Sequence, residues 1–160
     1  MTIDRHLELI AAAAGVRIEY ALLPPDRDGE YRHRHNVIRL RRGMSSRLHR
    51  SVLAHELAHA VFGHVPSRFG PVAAKQERVA EEWAALRLIR HEDYRRAEEL
   101  HEGHPGAIAH ELGVVLSIVE AYRAVLLRIQ VEGESPDVVY VRPRLGAGGW
   151  TERLEARESA

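Results

Sequence analysis

The chain has 160 residues, with 23 basic side chains against 23 acidic ones and no cysteine. A balanced charge excludes binding driven by a global field toward nucleic acid or acidic lipid. Without cysteine, disulfide frameworks and thiolate metal sites are excluded too, which suits a reducing cytoplasm.

Taken in order, Ile3, Leu7, Ile10 and Ala14 recur at helical spacing, and Gly15 stops the run. Within Met1 to Ile10, Asp4, Arg5, His6 and Glu8 interrupt any apolar core of the kind a signal peptide needs. No apolar stretch along the chain approaches the ~18 residues that span a membrane. Val16 to Leu23 alternates like a strand and closes at Pro24-Pro25. Beyond a turn at Asp26 to Gly29, Glu30 to His33 and Val37 to Leu40 read as paired short strands. These predict a small antiparallel sheet of about three strands, near the minimum that is stable without helices packed on it.

Ser45 or Ser46 can cap the next helix, which runs through Leu48 and Val52 to Phe62 and ends at Gly63. Pro66 to Pro71 reads as a loop. A second helix is expected from about Ala73 to His91, with Ala80, Trp83 and Ala84 inward and Lys75, Arg78 and Glu82 outward. Helical patterns continue over Tyr94 to Leu100 and Ala107 to Ile129, interrupted at Gly103 to Gly106. From Glu132 the texture changes to a short strand candidate, Val138 to Val141, a glycine-rich run and a charged tail. The predicted organisation is a domain over 1–92, a helical segment packed on it over 93–130, and a tail over 131–160.

Chemistry concentrates in His55-Glu56-Leu57-Ala58-His59, an H-E-x-x-H motif. Four residues make slightly more than one helical turn, so both imidazoles leave the same face and can meet one zinc ion. Glu56 then stands where a carboxylate can take a proton from an activated water. Leu48, Val52, His55, His59 and Phe62 form one stripe, which points the histidines toward the expected core. Burying three ionisable groups in one turn is costly unless partners or a metal offset it.

Such a zinc site needs a third protein ligand and keeps a fourth position for water. His64 and Glu77 are the local candidates. His64 follows a helix-ending glycine and lies far around the helix from His59. Glu77 shares a helix face with Ala73, Ala80, Ala84 and Leu88; the small alanines let two helices approach a common ion, and Glu77 is the favoured ligand. Glu81, one turn on, is a candidate to orient an imidazole from behind.

With those residues in view, Leu53 to His59, Gly63-His64 and the run Glu77 to Ala85 resemble the ImmA/IrrE family of metallopeptidases. The family's second motif, E-x-x-A-[ND]-x-F-A, is met at Glu77, Ala80 and Ala84, with Trp83 in place of Phe and Glu81 in place of Asn or Asp. The resemblance implies a gluzincin-like site binding one Zn2+ per chain through His55, His59 and Glu77, with Glu56 as general base. It further implies a prokaryotic or phage protein that acts on a transcriptional repressor.

Ala109 and Gly113, with apolar Ile108, Val114, Val119 and Tyr122, have helix-turn-helix spacing, which specifies an angled helix pair. The second helix of that pair offers only Arg123 and Arg128 against Glu120, a poor footprint for duplex DNA. The expected architecture is therefore an α+β zincin-like domain followed by a helical segment that docks on it. The expected activity is that of a cytoplasmic zinc endopeptidase acting on a specific partner protein, without membrane attachment. The alternative is a zinc-containing DNA-binding or protein-interaction regulator that cleaves nothing.

Overall fold

A computed structural model describes residues 3–132. The first helix, α1 (Ile3–Ala13), buries Leu7 and Ala11 against the core, and Asp4 pairs with Arg50 of the later helix at 3.3 Å. Three strands follow: β1 (Arg17–Ala21), β2 (Gly29–Arg32) and β3 (Val37–Arg41).

The sheet corrects the antiparallel expectation. Its order is β1-β3-β2; β2 runs antiparallel to β3, but β1 runs parallel to it, from Arg17 beside Val37 to Ala21 beside Arg41. Alternation in a sequence assigns faces to a strand and is silent about neighbours. Here β3 takes the centre because Val37, Ile38 and Leu40 are all buried, whereas β1 and β2 remain partly exposed. The turn between β2 and β3 removes His33 from the expected strand and winds His33 to His35 into one exposed 3-10 turn. Asn36 closes that turn and donates its amide to the Gly15 carbonyl at 2.8 Å, tying the end of α1 to the central strand.

Helix α2 (Ser46–Val61) begins as expected, with the Ser45 hydroxyl accepting from the Leu48 N–H at 3.3 Å. Helix α3 spans Gly70–Leu88, so the loop before it is shorter than predicted. Pro71 is tolerated in its first turn because the N–H that proline lacks has no intrahelical partner there. Three further helices complete the chain: α4 (His91–Leu100), α5 (Pro105–Glu111) and α6 (Leu116–Glu132). The strand expected at Val138 to Val141 lies outside the described residues.

One buried cluster runs from Leu7 through Ile38, Leu57 and Ala84 to Val119 and Tyr122. Ala54, Ala58, Ala80 and Ala84 are completely buried, which lets α2 and α3 approach closely. Glu82 departs from the outward orientation expected for it. Helix α6 packs over that face of α3, and Arg128 grips the Glu82 carboxylate through two hydrogen bonds of 2.8 and 2.9 Å. The Val115 N–H, at the turn before α6, donates to the buried Ser51 hydroxyl of α2 at 3.1 Å. No helix among the described residues is long and apolar enough to cross a membrane.

Candidate metal centre

The fully buried face of α2 is Ser51, Leu53, Ala54, Leu57 and Ala58. His55 and His59 flank that face instead of lying on it, with side chains 21% and 13% exposed. This corrects the stripe read from the sequence. A 3.6-residue period places the core face only to within a residue or so, and here it lies one step round the helix. The histidines occupy the seam between core and solvent, where a substrate can reach them.

Across that seam α3 delivers Glu77. His55 Nε2 lies 3.2 Å from Glu77 Oε2, and His59 Nε2 lies 3.4 Å from Glu77 Oε1. The two Nε2 atoms are 3.0 Å apart. Ligands at ~2.0–2.1 Å around a tetrahedral zinc stand about 3.3 Å from one another, so these separations fit one shared ion. Among the described residues this is the one group of three or more His, Asp or Glu side chains converging closely enough to hold a metal. The chemistry of the donor set fits as well: two imidazoles and one carboxylate leave a position for a water.

With two Nε2 atoms at 3.0 Å, one proton at most lies between them. Burial and the neighbouring His55 push the His59 pKa down to about 4, while Glu77 pulls the other way. Burial also opposes a charge on His55, but the Glu77 hydrogen bond and the charges of Glu56, Glu77 and Glu81 outweigh it and raise its pKa. Glu77 responds in kind, held below the usual carboxylate range chiefly by its hydrogen bond to His55. The cluster therefore sets the negative charge of the Glu77 carboxylate beside an imidazole, His59, that favours its neutral form, and a cation suits both.

Glu56 stands beside the cluster but outside it. Its pKa is raised by burial, with Glu77 and Glu30 adding to the rise, against the pull of His55 and of a hydrogen bond from the Tyr31 backbone N–H. It is held there by β2. A Cβ on Gly29 would sit 2.5 Å from Val52 Cγ1 and 3.0 Å from Glu56 Cγ, so the strand reaches α2 only because residue 29 has no side chain. The strand's role beside Glu56 is absent from the motif and visible only once the sheet is packed on the helix.

The IrrE N-terminal-like domain of peptidase family M78 matches residues 11–122. The chain belongs to this family. In this M78 chain the match covers the sheet, both helices of the cluster, α4, α5 and the start of α6. No curated protein and no solved structure matches it significantly.

The other candidate residues fall into place around the M78 site. Glu81, raised in pKa by burial, feels the charge of His55 but hydrogen-bonds to no imidazole among the described residues. His64 is no part of the converging group; its Nδ1 faces the Nδ1 of His59 at 2.9 Å, on the side away from Glu77. Sequence spacing rejected His64 as a ligand and gave no sign of this contact. Tyr94 is buried, with its hydroxyl given to Glu98 at 2.7 Å and accepting from Arg123 at 2.9 Å. His91 meets the Tyr122 hydroxyl, and His104 caps α5 through the Ala107 N–H.

Proposed function

We propose that the protein is a zinc-dependent endopeptidase that cleaves one specific partner protein, a transcriptional repressor of a phage or mobile element. The observation that carries this reading is the convergence of His55, His59 and Glu77 with Glu56 beside them. A site serving structure alone has no use for a half-buried, proton-accepting carboxylate next to its ligands. When bound, zinc would supply Lewis acidity toward a water and toward a scissile carbonyl.

The chain's own residues do the rest. His55, His59 and Glu77 hold the ion. Glu56, kept in place by β2, takes a proton from the attacking water at a carboxylate oxygen. The same oxygen then delivers it to the departing amine nitrogen. A raised pKa suits this double duty, since the group must both accept and release a proton near neutral pH. An extended substrate segment alongside the edge strand β2 would lie next to Glu56, and pairing with a sheet edge is a common mode of peptide recognition.

Family resemblance supports a repressor as substrate, and the danger that an unselective cytoplasmic peptidase poses to its own cell supports narrow specificity. Helices α5 and α6 serve docking in this reading. Arg123 donates to the Gly103 carbonyl at 2.7 Å and Arg128 is paired with Glu82, so the two cations of the second helix are already engaged within the chain. Metal analysis of the purified chain, then incubation with repressors encoded by neighbouring genes, tests the proposal. A zinc-loaded protein should cut one of them, and Glu56→Gln should not. Cleavage by that variant at the wild-type rate would refute the mechanism.

A further inference from the structure

We propose that His64 is a positioning residue for His59, fixing that imidazole so that its Nε2 lone pair faces the metal. The inference rests on the reading of His55, His59 and Glu77 as the metal centre. It begins with the way α2 ends. Gly63 has φ +61, a left-handed conformation that side chains disfavour. Its N–H bonds the Ala60 carbonyl at 3.2 Å, and the next N–H, of His64, bonds the His59 carbonyl at 2.9 Å. This pair of reversed bonds is the Schellman ending of a helix.

In that ending, the residue after the glycine folds back on the residue five positions earlier, and an apolar contact between them is the usual result. Here the two residues are His64 and His59. Their contact is polar, with Nδ1 to Nδ1 at 2.9 Å and the rings inclined at 65°. Two ring nitrogens at that distance need one donor and one acceptor. His59 turns Nε2 toward His55 and Glu77, so a ligating His59 carries its proton on Nδ1 and donates it to Nδ1 of His64. His64 then holds its own proton on Nε2. Phe62 stacks on His64 at 5.6 Å with the planes 18° apart, which fixes the acceptor's orientation.

The arrangement resembles the outer partners that orient metal-bound histidines through their second nitrogen, where carboxylates and carbonyls are the common acceptors. It also explains why His64 is no ligand. Its Nδ1 is engaged on the far side of His59, and its backbone is pinned by the helix ending.

The test uses the full chain loaded with zinc, in the wild type and in His64→Phe and His64→Asn. Phe keeps a ring to stack on Phe62 but accepts no hydrogen bond, whereas Asn places an oxygen near the position of Nδ1. Zinc affinity is read by competition with a chromogenic chelator. His64→Phe should bind about 10–100-fold more weakly, and His64→Asn should recover most of the loss. In the 15N-labelled wild type, a scalar coupling between the ring nitrogens of residues 59 and 64 should report the hydrogen bond directly, whether or not the variants fold. Absence of that coupling, or equal zinc affinity in wild type and His64→Phe, overturns the inference alone. A wild-type chain that takes up no zinc overturns the metal-centre reading, and this inference with it.

Discussion

Glu77 Oε2 lies 3.2 Å from His55 Nε2, although the two residues stand on different helices and 60% of the Glu77 side chain is open to solvent. A carboxylate this exposed adds little to stability as an ion pair alone. Glu77→Ala should therefore leave folding nearly intact and remove most bound zinc, with a larger loss than His64→Ala after equal dialysis. Metal analysis of both variants decides between them. Zinc lost from His64→Ala and kept by Glu77→Ala would reverse the ligand assignment.

Glu56→Gln separates binding from chemistry. The amide keeps the shape and cannot take the proton, so zinc content should match wild type while cleavage falls by roughly 10²–10⁴-fold, the usual worth of a positioned general base. Loss of zinc in this variant would instead make Glu56 part of the coordination sphere.

Gly29→Ala probes how the sheet meets the site. The added methyl would fall 2.5 Å from Val52 and 3.0 Å from Glu56, contacts that force the edge strand or the helix to move. Overpacking of this kind costs about 1–3 kcal/mol. Cleavage should fall with it, while zinc affinity stays within a few-fold of wild type, because the atoms nearest the added methyl belong to Val52 and Glu56 and to none of His55, His59 and Glu77. Unchanged melting and activity would show that β2 does not position Glu56.

Glu30 supplies the pH test. Burial raises its pKa, but hydrogen bonds from Arg39 and Arg32, both at 2.8 Å, outweigh that and leave it depressed. A carboxyl depressed on folding contributes stability that is full above its unfolded pKa, ~4.3, and is lost as pH falls through the folded value. Glu30→Gln should thus cost about 1–2 kcal/mol at pH 7 and progressively less below pH 4. Urea unfolding at pH 7 and pH 3 checks the sign; a difference that grows in acid would contradict it.

The helix pair formed by α5 and α6 should bind duplex DNA only weakly. Phosphate neutralisation drives such binding, and Arg123 and Arg128 are already committed to Tyr94, Gly103 and Glu82. Fluorescence anisotropy at near-physiological salt should show no submicromolar, sequence-selective complex. One that disappears with Arg128→Ala would restore the regulator reading.

The sequence alone determined those features that depend on short spacing. H-E-x-x-H puts two imidazoles on one helical face wherever the helix forms. Ser45 and Gly63 bound that helix because capping is local chemistry. Glu77 with its small-residue neighbours was legible for the same reason, since alanines at helical spacing mark a face made for close packing. Tertiary structure decided what depends on neighbours distant in the chain. The parallel pairing of β1 with β3 is one case, because strand alternation carries no record of direction. The placement of His55 and His59 at the seam of the core depends on what packs on either side of α2. Glu82 turned inward because α6, 46 residues on at Arg128, covers it. His64 was judged by its offset from a helix axis, but the left-handed turn at Gly63 takes the chain off that axis and folds it back onto His59.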